Sequence, residues 1–90
     1  MKISYGKKFS KQHEKTPVQI RNVFNQKIRL FIENPIHPLL NNHTLTGKLL
    51  GYRSINITGD WRAVYKELKS EDGENKIIFE LLGTHSQLYG

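Results

Sequence analysis

The stretch "YRSINITGDWRAVYKEL", Tyr52 to Leu68, decides the fold, because its apolar residues recur with a period of two. Ile55 and Ile57 fall on one side of an extended segment, with Ser54, Asn56 and Thr58 on the other. Gly59-Asp60 supplies a tight turn, and "WRAVYKEL" leaves it as a second strand. "SEDGEN", Ser70 to Asn75, makes another turn before "KIIFELL", which places Ile77, Phe79 and Leu81 on a common face. Turns this short join antiparallel neighbours, so this half of the chain reads as a three-strand meander.

Upstream the period changes. In "TPVQIRNVFNQKIRLFIENP", Thr16 to Pro35, the residues Ile20, Phe24, Ile28 and Phe31, supported by Val23 and Ile32, trace one face of a helix. Thr16 is placed to cap it, Pro17 fits the first helical position and Gln19 completes a capping box. Asn34-Pro35 ends it, since a residue before proline is pushed out of the helical region. "KKFSKQHEK" predicts a shorter basic helix before it, and "KISY", ending at Gly6, a first strand. "IHPLLNNHTLTGKLLG", Ile36 to Gly51, reads as a connector. The predicted architecture is α+β: an N-terminal strand, a two-helix hairpin, then the antiparallel meander. They form one sheet with helices on one face, in a single domain spanning residues 1–90.

Composition narrows the partners. Fourteen Lys and Arg against eight Asp and Glu leave a formal charge of +6, a surface that favours polyanions and acidic proteins. With no cysteine, disulfides, thiolate metal sites and thiol nucleophiles are excluded. No segment has the length and apolarity of a signal peptide or a membrane span, so a soluble cytoplasmic protein is expected. The histidines lack the close spacing of a zinc motif, and "LTGKLLG" lacks both the Walker lysine pattern and the dinucleotide fingerprint. No metal or cofactor is expected.

Of the four histidines, His13 and His37 suggest no role, whereas His43 and His85 sit at boundaries of the sheet. With Asp60-Trp61 in the hairpin turn, Arg53 and Arg62 on the strands and Tyr89 near the end, these residue types suit RNA scission. A base takes the ribose 2′-OH proton, the oxygen attacks phosphorus, and an acid protonates the departing 5′-oxygen. Histidine titrates near neutrality and serves either step. A guanidinium steadies the added charge, and aromatic rings stack on unpaired bases. Ordinary roles account for the same residues: a turn former for Asp60, core packing for Trp61 and Tyr89, and a solvated strand position for Arg62. Successive connections in a meander fall at opposite ends. The candidates therefore share a site only if the loop carrying His43 and a bend at Gly83 bring them together.

"NNHTLTGKLLGYRSINITGDWRAVY", followed by "IIFELLGTHSQLYG", resembles the RelE/ParE toxin superfamily, nearest its YafQ-like branch. The combined pattern H-x-L-x-G, G-Y-R, D-W and G-T-H-x-x-L-aromatic carries the likeness. The resemblance implies a RelE-like fold and a ribosome-dependent, metal-independent mRNA endoribonuclease, the toxin of a bacterial type II toxin–antitoxin pair. It implies acid/base roles for His43, Asp60 and His85, with Arg53, Asn56, Trp61, Arg62 and Tyr89 contacting RNA and Tyr89 stacking on it. It also implies mRNA in the ribosomal A site as substrate, an acidic antitoxin and heterotetrameric assembly. Two positions depart from the branch: Asn56 stands where another histidine is usual, and Arg62 resembles RelE-like chains. The alternatives are a ParE-like, non-enzymatic inhibitor of DNA gyrase and a basic RNA-binding module.

Overall fold

The structure is a computed structural model describing all of residues 1–90. Strand β1 (Lys2–Tyr5) leads into helices α1 (Lys7–Glu14) and α2 (Val18–Glu33). A connector follows, holding two 3-10 turns and the two-residue strand β2 (His43–Thr44). The meander β3 (Arg53–Asn56), β4 (Trp61–Lys69) and β5 (Asn75–Thr84) comes next, and the chain closes with helix α3 (His85–Tyr89). The sheet order is β1-β5-β4-β3-β2, with β1 parallel to β5 and every other pair antiparallel. The α+β reading is therefore met, with β2 and α3 as additions that the sequence pattern did not announce. No helix is long and apolar enough to cross a membrane.

Helices α1 and α2 cover one face of the sheet. Phe9, Phe24, Ile28 and Phe31 reach down to Ile55, Ile57, Ala63, Tyr65, Ile77 and Phe79 in one apolar cluster. Phe79 is its hub, fully buried, with ring centroids 5.3 to 6.0 Å from those of Tyr5, Phe9, Phe24, Phe31 and Tyr65. Offset and edge-on arrangements of this kind add to the stabilisation from buried area alone. Val23 and Ile20 flank the cluster, while Ile32 is left exposed.

Two local expectations are corrected. Thr16 does not cap α2: its hydroxyl donates to the Gln12 carbonyl at 2.8 Å, adding a second donor to the one the Lys15 N–H supplies at the end of α1. Pro17 takes the capping position, and its carbonyl accepts from Ile20 and Arg21, so no capping box with Gln19 forms. The second correction lies in β5. Val64 pairs with Leu81 and Tyr65 with Phe79, so Glu80 is an extra residue. This β-bulge shifts the side-chain phase by one. Leu82 enters the core and Leu81 turns to the opposite face. The Leu82 N–H is taken up by Gln12 Oε1 at 2.8 Å, tying α1 to β5 beyond the end of β1.

Truncating the hub should be severe. Phe79→Ala is expected to cost about 3–5 kcal/mol of unfolding free energy, measured by urea denaturation, with the penalty coming from lost transfer energy and the cavity left behind. A second prediction concerns acid. His13 lies beside Phe9 and Phe24, and burial, then the Arg21 charge, hold its pKa below the ordinary 6.5. The unfolded chain binds this proton more readily, so the contribution is full above the unfolded value and is lost as pH falls. His13→Gln should flatten the decline in thermal midpoint as pH falls below about 6.5.

Candidate functional site

Side chains on residues paired across strands share a face of the sheet. Ser54 pairs with His43 on one side and Val64 on the other, and Val64 pairs with Leu81. Asn56, Arg62 and Gly83 form a parallel row one step along. Both rows face away from α1 and α2, because Ile55, Ala63 and Leu82, which alternate with them, are in the core. This second face carries the site.

The turn-back of the chain onto this face starts at the end of β5. The His85 N–H donates to the Asp60 carbonyl at 2.9 Å, so the hairpin turn between β3 and β4 anchors the first residue of α3. Thr84 and Gln87 form a reciprocal capping box there, with bonds of 3.2 and 2.8 Å. Gly83 is buried beneath the helix: a Cβ at this position would lie 2.9 Å from Gln87 Oε1 and 3.2 Å from Leu88. At the far end the Tyr89 hydroxyl donates to Ser54 Oγ at 2.9 Å. Four residues apart on one turn, His85 and Tyr89 meet edge to face, with centroids 4.9 Å apart and planes at 70°.

Between α3 and the loop after β2 lies an open hollow of about 450 Å³, in the size range of small-ligand clefts. Its polar lining is His43, Thr46, Lys48 and His85, and its apolar lining is Leu45, Leu49, Leu88 and Tyr89. His43 is exposed, and its Nδ1 lies 2.8 Å from the Asn41 carbonyl. A carbonyl oxygen only accepts, so Nδ1 carries a proton, and in the matching neutral tautomer Nε2 is the acceptor nitrogen.

His43, His85 and Tyr89 are thus brought together, as the sequence reading required. Asp60 touches this group through its main chain, while its exposed side chain does not line the hollow. Asn56 and Arg62 share the face but lie outside it. Asn56 Oδ1 is buried without a hydrogen-bond partner, and Arg62 Nη1 donates to the carbonyls of Thr58 and Trp61 at 3.0 and 3.1 Å. Arg53 and Trp61 are on the helix side. Arg53 Nε donates to Asn42, whose amide donates in turn to the Tyr65 hydroxyl and the Pro35 carbonyl. Trp61 packs against the core and lines a shallow notch with Gln12 and Thr16. Lys48 is the cation that the sequence reading passed over. The signal was its place five residues after His43 in the same loop, hidden because that loop matches no phosphate motif. No three His, Asp or Glu side chains converge to hold a metal ion.

The family profile described as the YafQ bacterial toxin of type II toxin–antitoxin systems matches residues 1–90, and the chain belongs to that family. It is similar to a mutant of YafQ from E. coli, with 29% identity and a TM-score of 0.77, covering 98% of this chain and 97% of that one. A copper-bound mutant toxin from Helicobacter pylori is 30% identical with a TM-score of 0.71, covering 99% of each chain. The E. coli DinJ-YafQ toxin-antitoxin complex matches at 27% identity and a TM-score of 0.70, covering 98% of this chain and 96% of that one. None of the curated proteins compared with the chain matches it.

The close approach at Gly83 predicts a local defect. Gly83→Ala should push Gln87 from its capping position and loosen α3. Hydrogen exchange of the amides of residues 85–90 is expected to speed up while the core amides stay protected.

Proposed function

We propose that this chain is a ribosome-dependent mRNA endoribonuclease, the toxin of a type II toxin–antitoxin pair. The observation that supports this most directly is that His43 and His85 line the same open hollow. Two imidazoles facing one solvent-filled space are suited to moving a proton on and off a substrate.

In the proposed reaction, His43 Nε2 removes the proton from a ribose 2′-OH. The oxygen attacks the adjacent phosphorus as the bond to the 5′-oxygen breaks. His85 in its protonated form donates to that leaving oxygen, and a 2′,3′-cyclic phosphate and a 5′-hydroxyl result. Lys48, at the same wall, offsets charge building on the phosphoryl oxygens. Arg62 and Asn56 extend a polar strip alongside; Arg62 Nη1 is held by the Thr58 and Trp61 carbonyls, which leaves only its other nitrogens for a neighbouring phosphate. Asp60 acts chiefly as a scaffold, its carbonyl fixing the main chain of His85. Arg53 and Trp61, on the opposite face, serve the fold rather than the RNA. The ribosome would supply the alignment of 2′-oxygen, phosphorus and leaving group that this sparse set does not impose.

The partner that neutralises the toxin is proposed to be an acidic antitoxin segment, drawn by the +6 charge onto the face carrying the hollow. Neither a gyrase inhibitor nor a simple RNA-binding module has a use for two proton-transfer groups at one opening.

The reading is tested by translating a defined mRNA on purified ribosomes and mapping new 5′ ends. Wild type should cut within codons, and His85→Ala and His43→Ala should each lose roughly a hundredfold or more in rate. Intact mRNA beside inhibited supercoiling would instead indicate a gyrase inhibitor, and undamaged mRNA that is still bound would indicate a binding module.

A further inference from the structure

We propose that Ser54 and the Tyr89 hydroxyl form a latch that positions His85, so that Ser54, which does not itself face the hollow, is a positioning residue for the proposed cleavage. This rests on the endoribonuclease reading for its kinetic consequence, but its structural half stands apart from it.

Three observations carry the proposal. Helix α3 is five residues long, too short to hold its shape in water unaided, so its place on the sheet depends on its anchors. Its first turn has two: the His85 N–H on the Asp60 carbonyl, and the Thr84–Gln87 capping box. Its last residue has one side-chain anchor, the Tyr89 hydroxyl on Ser54. Ser54 is completely buried on the β3 strand, in the middle of a row between His43 and Val64, and its hydroxyl makes no other side-chain hydrogen bond. A fully buried serine is costly unless its hydroxyl is used.

The latch reaches His85 through the Tyr89 ring. With its hydroxyl held 2.9 Å from Ser54, the ring has one orientation, and its contact with the imidazole at 4.9 Å and 70° limits the side-chain swing of His85. The same bond assigns Tyr89 a task other than stacking on a base. While the hydroxyl is docked, the ring is a fixed wall of the hollow, and nucleobase stacking on it would have to use the side not turned to His85. Ser54 also pairs directly with His43 across β2 and β3. One buried hydroxyl therefore ties together the strand that carries one histidine and the helix that carries the other.

The test uses the full chain as wild type, Ser54→Ala, Tyr89→Phe and the double variant. The first measurement needs no RNA. In the wild type the ring-current field of Tyr89 displaces the His85 ring C–H resonances, and each variant should move them toward free-histidine positions. The second is ribosome-dependent cleavage at a temperature where all four proteins are folded. Each single variant should lower kcat by roughly five- to tenfold, the equivalent of one hydrogen bond, with KM unchanged. The double variant should be no slower than the slower single, since both remove the same interaction.

Unchanged His85 resonances in the variants would overturn the latch, as would losses that multiply in the double variant. So would a lower thermal midpoint with unaltered kcat, which would make the bond purely structural. If the wild type cuts no mRNA, the endoribonuclease reading fails and the latch is decided by the resonances alone.

Discussion

One extra residue in β5 governs both faces of this sheet. Without the bulge at Glu80, strict alternation from Phe79 would send Leu81 and Gly83 toward the helices and Leu82 outward. With it, Leu82 completes the core, and Gly83 comes to the opposite face where α3 has to pass close to the strand. The displaced Glu80 side chain finds Lys66 at 3.8 Å, a partly exposed pair of small energetic weight. The gain is geometric: a strand that ends in register with the β3–β4 turn and delivers His85 beside Asp60.

That arrangement divides labour between the faces. The helix side is an aromatic core centred on Phe79, and its polar side chains are largely spoken for, as in the Arg53–Asn42–Tyr65 chain of hydrogen bonds. The other side has a thin cover of one short helix and a loop, which leaves an open hollow rather than a sealed interior. Its stability is borrowed from a core on the far side of the sheet.

Charge is distributed by the same logic. Both arginines that seemed suited to phosphate are engaged by the protein itself, one by an asparagine and the other by two carbonyls over the hairpin. Lys48, in the loop after β2, lines the opening instead. The buried, unpartnered Asn56 Oδ1 beside Arg62 shows that this strip is not optimised for stability alone.

Much of the fold is legible in the residues: the period of two from Tyr52 onward, the helical face from Ile20 to Phe31 and the stop at Asn34-Pro35 are local patterns with local causes. The candidate histidines were legible too, as residue types at element boundaries and in a pattern shared with a toxin family. What could not be read was anything set by relations across the sheet. Alternation along a strand names two faces but cannot foresee a bulge, so the phase of Leu81 and Leu82 had to come from pairing with β4. The sequence offers Arg53, Arg62 and Trp61 as equal candidates and does not mark Lys48, and only the tertiary structure puts Arg53 and Trp61 on the core side, Arg62 on the outer face and Lys48 at the hollow. The residues alone fixed the main strands and helices, though not β2 or α3, and which groups are able to carry protons. Which of those groups share one opening was settled by strand register and by the return of the last helix, because proximity between distant segments is a property of packing and not of local sequence.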